Sequence, residues 1–363
     1  MSEPLTPALS RREREKKKPS PSGRGLGEGL ARRCIIALVV LASLVLGVVA
    51  LDRLYPPNLS RLAQTGSEVV DRNGRTLALL PAPGGVWRFR TSADDVSPEF
   101  LNLLLAVEDR RFYRHPGVDP LALARAAVQW ARTGKIVSGG STLTMQAVRL
   151  LEPRPRTLRS KAIEILRAVQ LEAHLSKRDI LGVWLTLAPF GGNLEGVRAG
   201  SLAWFGVPPS QLDAAEAALL VAIPRRPEAL RPDRHPERAR ALRDRILALG
   251  DPGAIGSPVP THRFAMPRHA PQIVAALPPA PRIPTTLDLP LQAALERLAN
   301  AQLAAMPERV SMALLIADAG TREVRAIYGG AWGQESRAGA LDLTRAVRSP
   351  GSALKPFIYA LAF

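Results

Sequence analysis

The chain has 363 residues, among them 33 prolines and 28 glycines, and a formal net charge of +17. This length allows a membrane anchor and about two domains. So basic a chain suits either nucleic acid or an anionic membrane surface. We favour the membrane, because the sequence has no zinc-ligand spacing and no compact basic-aromatic module, and its arginines are dispersed through helical segments. The single cysteine, Cys34, excludes an internal disulfide framework.

The first feature in chain order is a basic tail followed by an apolar run. Residues 1–33 are polar and carry RREREKKK, so we expect a disordered cytoplasmic tail. Residues 34–51 are uncharged, and at about 1.5 Å per residue this run nearly spans a hydrocarbon core of about 30 Å. A cleaved signal peptide and a buried core helix are the rival interpretations. Because Lys and Arg precede the run, we expect a single-pass helix in the inner membrane with the following residues in the periplasm.

Four further segments follow the apolar run. Residues 66–92 contain two strand-like runs around an Asn73-Gly74 turn and predict a small β element. Residues 93–249 are dominated by helical periodicity, and the proline-rich residues 250–284 read as an extended linker. Residues 285–363 begin with an amphipathic helix and continue with two strand-like runs around a Gly-Thr turn.

The stretch AVEDRRFYRHPG contains two adjacent carboxylates, Glu108 and Asp109, at the end of a predicted helix. Ser97 is a suitable N-cap for this helix, and Pro98 a suitable first residue. Glu108 comes directly after Val107 and so lies beside the apolar face of the helix, where partial desolvation would make it a better proton acceptor near neutral pH. The alternative is a solvated Glu-Asp pair at an exposed helix end, so the interpretation depends on the motifs that follow.

Four motifs occur in order: EDRRFYRHPGVDP, SGGSTLTMQ, RTLRSKAIEILRAVQLE and SKRDILGVWLTLAPFGGNLEGV. Together they resemble the peptidoglycan glycosyltransferase domain of class A penicillin-binding proteins, and the four together are far more specific than any one alone. APFGGNLEGV, RPDRHPERAR and RSPGSALKPF resemble the type 1C branch. The resemblance extends from about Gly66 to the last residue. It implies a mainly α, lysozyme-like domain after one transmembrane helix, followed by the truncated α/β start of a penicillin-binding transpeptidase domain.

The resemblance also implies roles for individual residues. Glu108 is the general base that takes a proton from the acceptor hydroxyl, and Glu164 is a second essential carboxylate that supports the donor and the cations. Its spacing from Lys161 puts both on one helix face, although such pairs most often only stabilise a helix. The remaining implied substrate-binding residues are Asp109, Ser141, Gln146, Arg149, Arg156 and Lys161.

Several positions depart from the family pattern. Met145 replaces a glutamine, Trp184 another aromatic residue, Thr186 an asparagine and Leu230 a tyrosine. We expect modest local changes, because the motif around Trp184 packs mostly under the cleft.

Other residues in these motifs have two interpretations. Arg225 and Arg226 either contact substrate or cap a loop. We interpret His115 as part of a turn and not as a base. An apolar stripe that includes Trp130 belongs either to the core or to a patch that enters the outer leaflet.

Near the end of the sequence, Ser352 and Lys355 form an SxxK pair one helical turn apart. By resemblance they are the penicillin-reactive nucleophile and its base. The sequence ends before an SxN-type triplet and a KTG strand, so we expect a truncated domain that would react with a β-lactam only if it were complete.

The expected activity is polymerisation of lipid II into β-1,4 glycan strands with inversion. A lysozyme-like lytic hydrolase and a non-enzymatic cell-wall scaffold remnant are the alternatives. We expect no required cofactor, with a divalent cation such as Mg²⁺ as the one candidate, at Glu164. The expected partners are lipid II, the growing glycan strand, the inner membrane and cell-wall synthesis proteins, and not nucleic acid.

Overall fold

The structure is a computed structural model that describes residues 25–134, 140–347 and 349–363. Most of the predicted basic tail, and Ser138 of the SGGSTLTMQ motif, lie outside the described residues. The described chain divides into two compact units, residues 1–56 and residues 57–363.

The first unit consists of helix α1 (Gly25–Leu54). Its residues Ile35–Leu54 have a mean hydropathy of 2.8 and are long and apolar enough to cross a membrane. The helix predicted at residues 34–51 is therefore present, with about one further turn after it and a longer extension before it.

The second unit is mostly helical between its first sheet and residue 249. The short helix α2 (Ser60–Ala63) precedes the sheet, and the helices after it are α3 (Pro98–Glu108), α4 (Pro120–Thr133), α5 (Leu143–Leu151), α6 (Leu158–His174), α7 (Lys177–Leu187), α8 (Val197–Phe205), α9 (Ala214–Ala222) and α10 (Pro236–Leu247).

Side-chain caps fix where several of these helices begin. The hydroxyl of Ser97 accepts a hydrogen bond from the backbone N–H of Phe100, which confirms the predicted start of α3. Thr142 caps α5 and Thr157 caps α6 in the same way. The caps place α5 directly after the turn that carries Ser141, and α6 directly after the turn that carries Arg156.

Helix α9 forms the centre of the core. Its sequence AAEAALLVA is apolar on nearly every side, and it packs against α3, α8 and α10. Its alanines allow close approach of the neighbouring helices, which is how a helix can be buried all round. The end of α3, with Glu108, is thus attached to a rigid core.

A small sheet precedes the helices, as predicted, but it contains one strand more than expected. Strand β1 (Ser67–Val70) pairs antiparallel with β2 (Thr76–Leu80) around the Asn73-Gly74 turn. A strand at Arg282–Pro284 pairs in parallel with β1. Residues 250–284, which the sequence indicated as a linker, therefore contribute an edge strand to this sheet.

A second, two-stranded sheet joins β3 (Trp87–Arg88) in parallel to β4 (Leu194–Glu195). The strand at Arg282–Pro284 is accordingly β5, and a short helix, α11 (Pro271–Ala276), lies before it.

The last part of the chain has the order of elements expected from its pattern. Helix α12 (Leu289–Ala304) is followed by the antiparallel strands β6 (Leu314–Ala317) and β7 (Val324–Tyr328). Helix α13 (Lys355–Ala362) ends the chain. Whether this part belongs to a transpeptidase domain stays a prediction at this point.

Candidate active site

Two neighbouring cavities, of about 770 Å³ and about 430 Å³, form a cleft beside the C-terminal end of α3. Glu108, Ser141, Gln146 and Arg225 line both cavities. The Glu108 carboxylate is therefore at the junction of the two. A base in this position can reach a group that is bound on either side.

The Glu108 carboxylate is held by two donors. The side-chain amide of Gln146 donates to Oε2 at 2.9 Å, and Arg225 Nε donates to Oε1 at 2.7 Å. The Glu108 side chain is 15% exposed and that of Arg225 is 40% exposed. Both oxygens of the Glu108 carboxylate are therefore held in a fixed position, from which they can accept a proton of a bound group.

The other end of the Gln146 amide is also fixed. Trp184 Nε1 donates to Gln146 Oε1 at 3.0 Å, and Trp184 is almost fully buried against Phe100. A chain of hydrogen bonds thus runs from the core, through Gln146, to the carboxylate of Glu108. The sequence identified Gln146 as a residue facing the donor and did not reveal this contact.

Asp109 has a different environment from Glu108, although the two are adjacent. It is buried, and its carboxylate accepts a hydrogen bond from the backbone N–H of Leu143 at 2.9 Å. The His115 ring nitrogen Nε2 lies 3.0 Å from the same carboxylate. Asp109 lines the larger cavity but also ties the start of α5 to the His115 turn. Asp109 therefore positions these two segments. Its contact with substrate stays a prediction.

A cluster of charges lies where α5 meets α6. Arg149 donates to both Glu164 oxygens, at 2.7 and 2.9 Å, and Lys161 Nζ lies 3.4 Å from Oε2. Lys161 also donates to the hydroxyl of Ser141 at 2.6 Å. The structure thus brings together four of the predicted site residues.

The protonation of this cluster follows from its contacts. Burial alone would raise the pKa of Glu164, but the hydrogen bonds and charge of Arg149, with those of Lys161, outweigh it and hold the pKa below its usual value. The hydrogen bond with Glu164 raises the pKa of Arg149. Burial lowers the pKa of Lys161, although Glu164 opposes the shift. The shifts of Glu164 and Arg149 favour their charged forms, whereas burial disfavours the charged form of Lys161.

Arg156 lies in the turn before α6 and lines the smaller cavity together with Arg149. Its side chain is exposed. Two of the three predicted cations, Arg149 and Arg156, therefore line the smaller cavity. The third, Lys161, donates to Ser141, which lines both cavities.

The larger cavity is lined by arginines that the sequence did not single out. Arg111 Nη2 donates to both oxygens of the Asp119 carboxylate at 2.6 Å. Burial would raise the pKa of Asp119, but the hydrogen bonds that its carboxylate accepts from the Ala122 N–H and from Arg111 outweigh this effect. The pKa of Asp119 is lowered as a result. Arg125 on α4 and Arg245 on α10 complete this wall. Arg111 belongs to the EDRRFYRHPGVDP motif, as does Arg110, which lines the same cavity. Only the fold could reveal Arg125 and Arg245, because they come from separate helices.

The departures from the family pattern lie in the core. Met145 and Leu230 are buried, so these two positions serve packing. Thr186 is buried too and accepts a hydrogen bond from the backbone N–H of Thr91.

The Ser352 and Lys355 pair, the Trp130 stripe and the candidate metal site are the remaining predictions. Ser352 and Lys355 are exposed in the turn before and at the start of α13, and line neither of the two cavities. The side chain of Trp130 is not among the described ones. Across the described residues, no group of three or more His, Cys, Asp or Glu side chains could hold a metal ion.

Comparisons with known proteins agree with this geometry. The family described as Transglycosylase matches residues 74–249. "Penicillin-binding protein 1C" of Escherichia coli (strain K12) is 41% identical over 86% of this chain and 42% of its own length. "Penicillin-binding protein 1A" of Aquifex aeolicus is 40% identical over 50% of this chain and 25% of its own length. "Penicillin-binding protein 1A" of Pseudomonas aeruginosa is 35% identical over 43% of this chain and 20% of its own length.

The chain thus spans less than half the length of these curated relatives. The transglycosylase match contains the whole cleft described above, from Glu108 to Arg245. On these similarities the chain belongs to the class A penicillin-binding protein family, and residues 74–249 are its transglycosylase domain.

Proposed function

We propose that the chain is a membrane-anchored peptidoglycan glycosyltransferase that polymerises lipid II into β-1,4 glycan strands. The observation that carries the proposal is the position of Glu108, whose carboxylate lies where two cavities meet, with a cationic cluster on one side. A polymerase needs room for two substrates and one base between them. The cleft has this arrangement.

In the proposed reaction, Glu108 takes the proton of the acceptor 4-hydroxyl. The acceptor oxygen forms a bond to C1 of the donor sugar while the bond from C1 to the pyrophosphate oxygen breaks. The electron pair leaves with the pyrophosphate, and attack from the opposite face inverts the α-linkage to a β-linkage. One base and one cationic leaving-group site are sufficient for this single displacement.

Arg149, Arg156 and Lys161 are the proposed partners of the departing pyrophosphate. Guanidinium groups bind phosphate oxygens in a bidentate fashion, and both arginines line the smaller cavity. We therefore assign the donor to the smaller cavity and the acceptor to the larger one. This assignment places the acceptor hydroxyl on the other side of Glu108 from the leaving group.

Glu164 is proposed to act through the cations. Both of its oxygens accept hydrogen bonds from Arg149, so it holds that guanidinium in place. A divalent cation such as Mg²⁺ at Glu164 would compete with Arg149 for the same oxygens. The donor set therefore fits a carboxylate that orients cations better than one that binds a metal.

The remaining chain fits the same proposal. We propose that α1 anchors the protein in the inner membrane with its basic N-terminal side in the cytoplasm, because Lys and Arg precede the apolar run. Residues 285–363 are proposed to be the start of a penicillin-binding transpeptidase domain, with Ser352 as nucleophile and Lys355 as base. The similarity to a relative named 1C over 86% of this chain favours the 1C branch. Other cell-wall synthesis proteins are proposed as partners.

The experiment is to incubate the detergent-solubilised chain with labelled lipid II and to separate the products by size. Longer glycan strands support the proposal. Shortening of preformed glycan would indicate the hydrolase, and binding without any change in glycan length would indicate a scaffold.

A further inference from the structure

The hydrogen bonds around Gln146 form one continuous path from the core to the proposed base. Trp184 lies on α7, Gln146 on α5 and Glu108 at the end of α3. The indole N–H of Trp184 donates to Gln146 Oε1 at 3.0 Å, and Gln146 Nε2 donates to Glu108 Oε2 at 2.9 Å. The path thus connects three helices that the sequence separates by up to 76 positions, from Glu108 to Trp184.

The chemistry of the two ends determines the orientation of the amide between them. An indole nitrogen can only donate, and an ionised carboxylate can only accept. The amide must therefore turn its oxygen to Trp184 and its NH₂ group to Glu108. Without the indole donor, the amide could rotate and present its oxygen to the carboxylate, which would repel Glu108 from its position.

We propose that Trp184, which also lines the smaller cavity, is a positioning residue for the base of the reaction, and that its indole N–H acts on Glu108 through Gln146. The inference rests on the proposed function, because it assigns Glu108 as the base. The buried ring of Trp184 is fixed by its neighbours, so its N–H provides a rigid reference for the flexible Gln146 side chain. Arg225 holds the other carboxylate oxygen, but from an exposed side chain that can move away.

The proposal makes a specific prediction for kinetics. Trp184→Phe removes the donor and keeps an aromatic ring, and a lost hydrogen bond of this kind corresponds to a fall of about three- to tenfold in kcat, with KM changed less than about twofold. Gln146→Leu removes the path itself, so its kcat should fall at least as far. In the Gln146→Leu background, Trp184→Phe should have less than about a twofold further effect, because Trp184 then has nothing to orient.

Trp204 provides a matched control. It is also fully buried and also donates its indole N–H, to the Phe190 carbonyl at 3.2 Å, but it lines neither cavity. Trp204→Phe should lower the unfolding temperature about as much as Trp184→Phe, with kcat essentially retained.

Three outcomes would overturn the inference while lipid II is still polymerised: full kcat in Trp184→Phe, an equal loss in the native and Gln146→Leu backgrounds, or an equal loss in Trp204→Phe. Absence of polymer from the native chain would instead contradict the proposed function. In that case the indole N–H resonance of Trp184 still decides the matter. It should shift in both Gln146→Leu and Glu108→Gln, and an unchanged resonance would show that no such path exists.

Discussion

Replacing Glu108 with glutamine tests the proposed base directly. The amide has nearly the same shape, and its oxygen can still accept from Gln146, but it cannot take the acceptor proton. We expect the polymerisation rate to fall by about 10²- to 10⁴-fold, the range usual for loss of a general base. At about 1.4 kcal/mol per factor of ten, this corresponds to about 3 to 6 kcal/mol in the barrier.

The effect on stability should be much smaller. Glu108→Gln breaks the ion pair with Arg225, whose side chain is 40% exposed. Such pairs contribute about 0 to 1 kcal/mol to the free energy of unfolding. The loss of rate and the loss of stability should therefore differ by several kcal/mol, which separates a chemical role from a structural one.

The measurement is the initial rate of polymer formation from labelled lipid II, together with urea unfolding of each variant. Glu99→Gln is the matched control, because Glu99 is an exposed residue in the first turn of the same helix and lines neither cavity. It undergoes the same chemical change and should keep its rate. If Glu108→Gln retained more than about a tenth of the native rate, Glu108 would not be the general base.

Three further results are expected. Arg156→Ala should weaken the use of donor more than that of acceptor, measured with separately labelled substrates, and equal losses would indicate a structural role. Glu164→Gln should be severely impaired in polymerisation and less stable in urea at pH 7. Because the pKa of Glu164 is lowered in the folded protein, the difference in stability between the native chain and this variant should shrink as the pH falls below the ordinary carboxyl pKa and through the lowered one. An equal difference at pH 7 and pH 3 would contradict this. Labelled penicillin should acylate the 363-residue chain only slowly, because Ser352 and Lys355 are exposed in the structure; stoichiometric labelling that is lost in Ser352→Ala would refute this.

The sequence could predict those features that depend on short-range patterns. The N-cap at Ser97 and the helix that follows it come from local rules, although the helix ends at Glu108 and not at the end of the helix-like segment SPEFLNLLLAVEDRRFY. The four motifs in order indicated the family. The pairing of Lys161 with Glu164 also followed from their spacing on one helix.

The features that depend on long-range contacts were not accessible in this way. Arg225 lies 117 positions after Glu108, in a short 3-10 turn at the end of α9, and no local pattern relates the two. Strand β5 is too short to give a periodic signal, and it is identified only by its pairing with β1, more than 200 positions earlier.

The different roles of Glu108 and Asp109 depend on a change in backbone conformation between them. Glu108 is the last residue of α3, whereas Asp109 has left the helix, with φ −159° and ψ 78°. Two neighbouring carboxylates therefore point in different directions, one into the cleft and one to Leu143 and His115. The sequence identifies the pair, but only the end of the helix decides how each carboxylate is oriented.

Two of the three motifs that resemble the 1C branch, APFGGNLEGV and RPDRHPERAR, meet in the folded chain next to the segment that carries Arg225. The backbone N–H of Gly192 donates to the Glu228 carboxylate at 2.5 Å, and a side chain at Gly191 would collide with Arg231. Gly191 also has a φ of 93°, which a side chain would strain. The loop of APFGGNLEGV thus packs directly on the residues that follow Arg225. Pro189 of the same loop lines the smaller cavity. The loop therefore reaches the cleft itself as well as the residues that follow Arg225, which in turn holds Glu108.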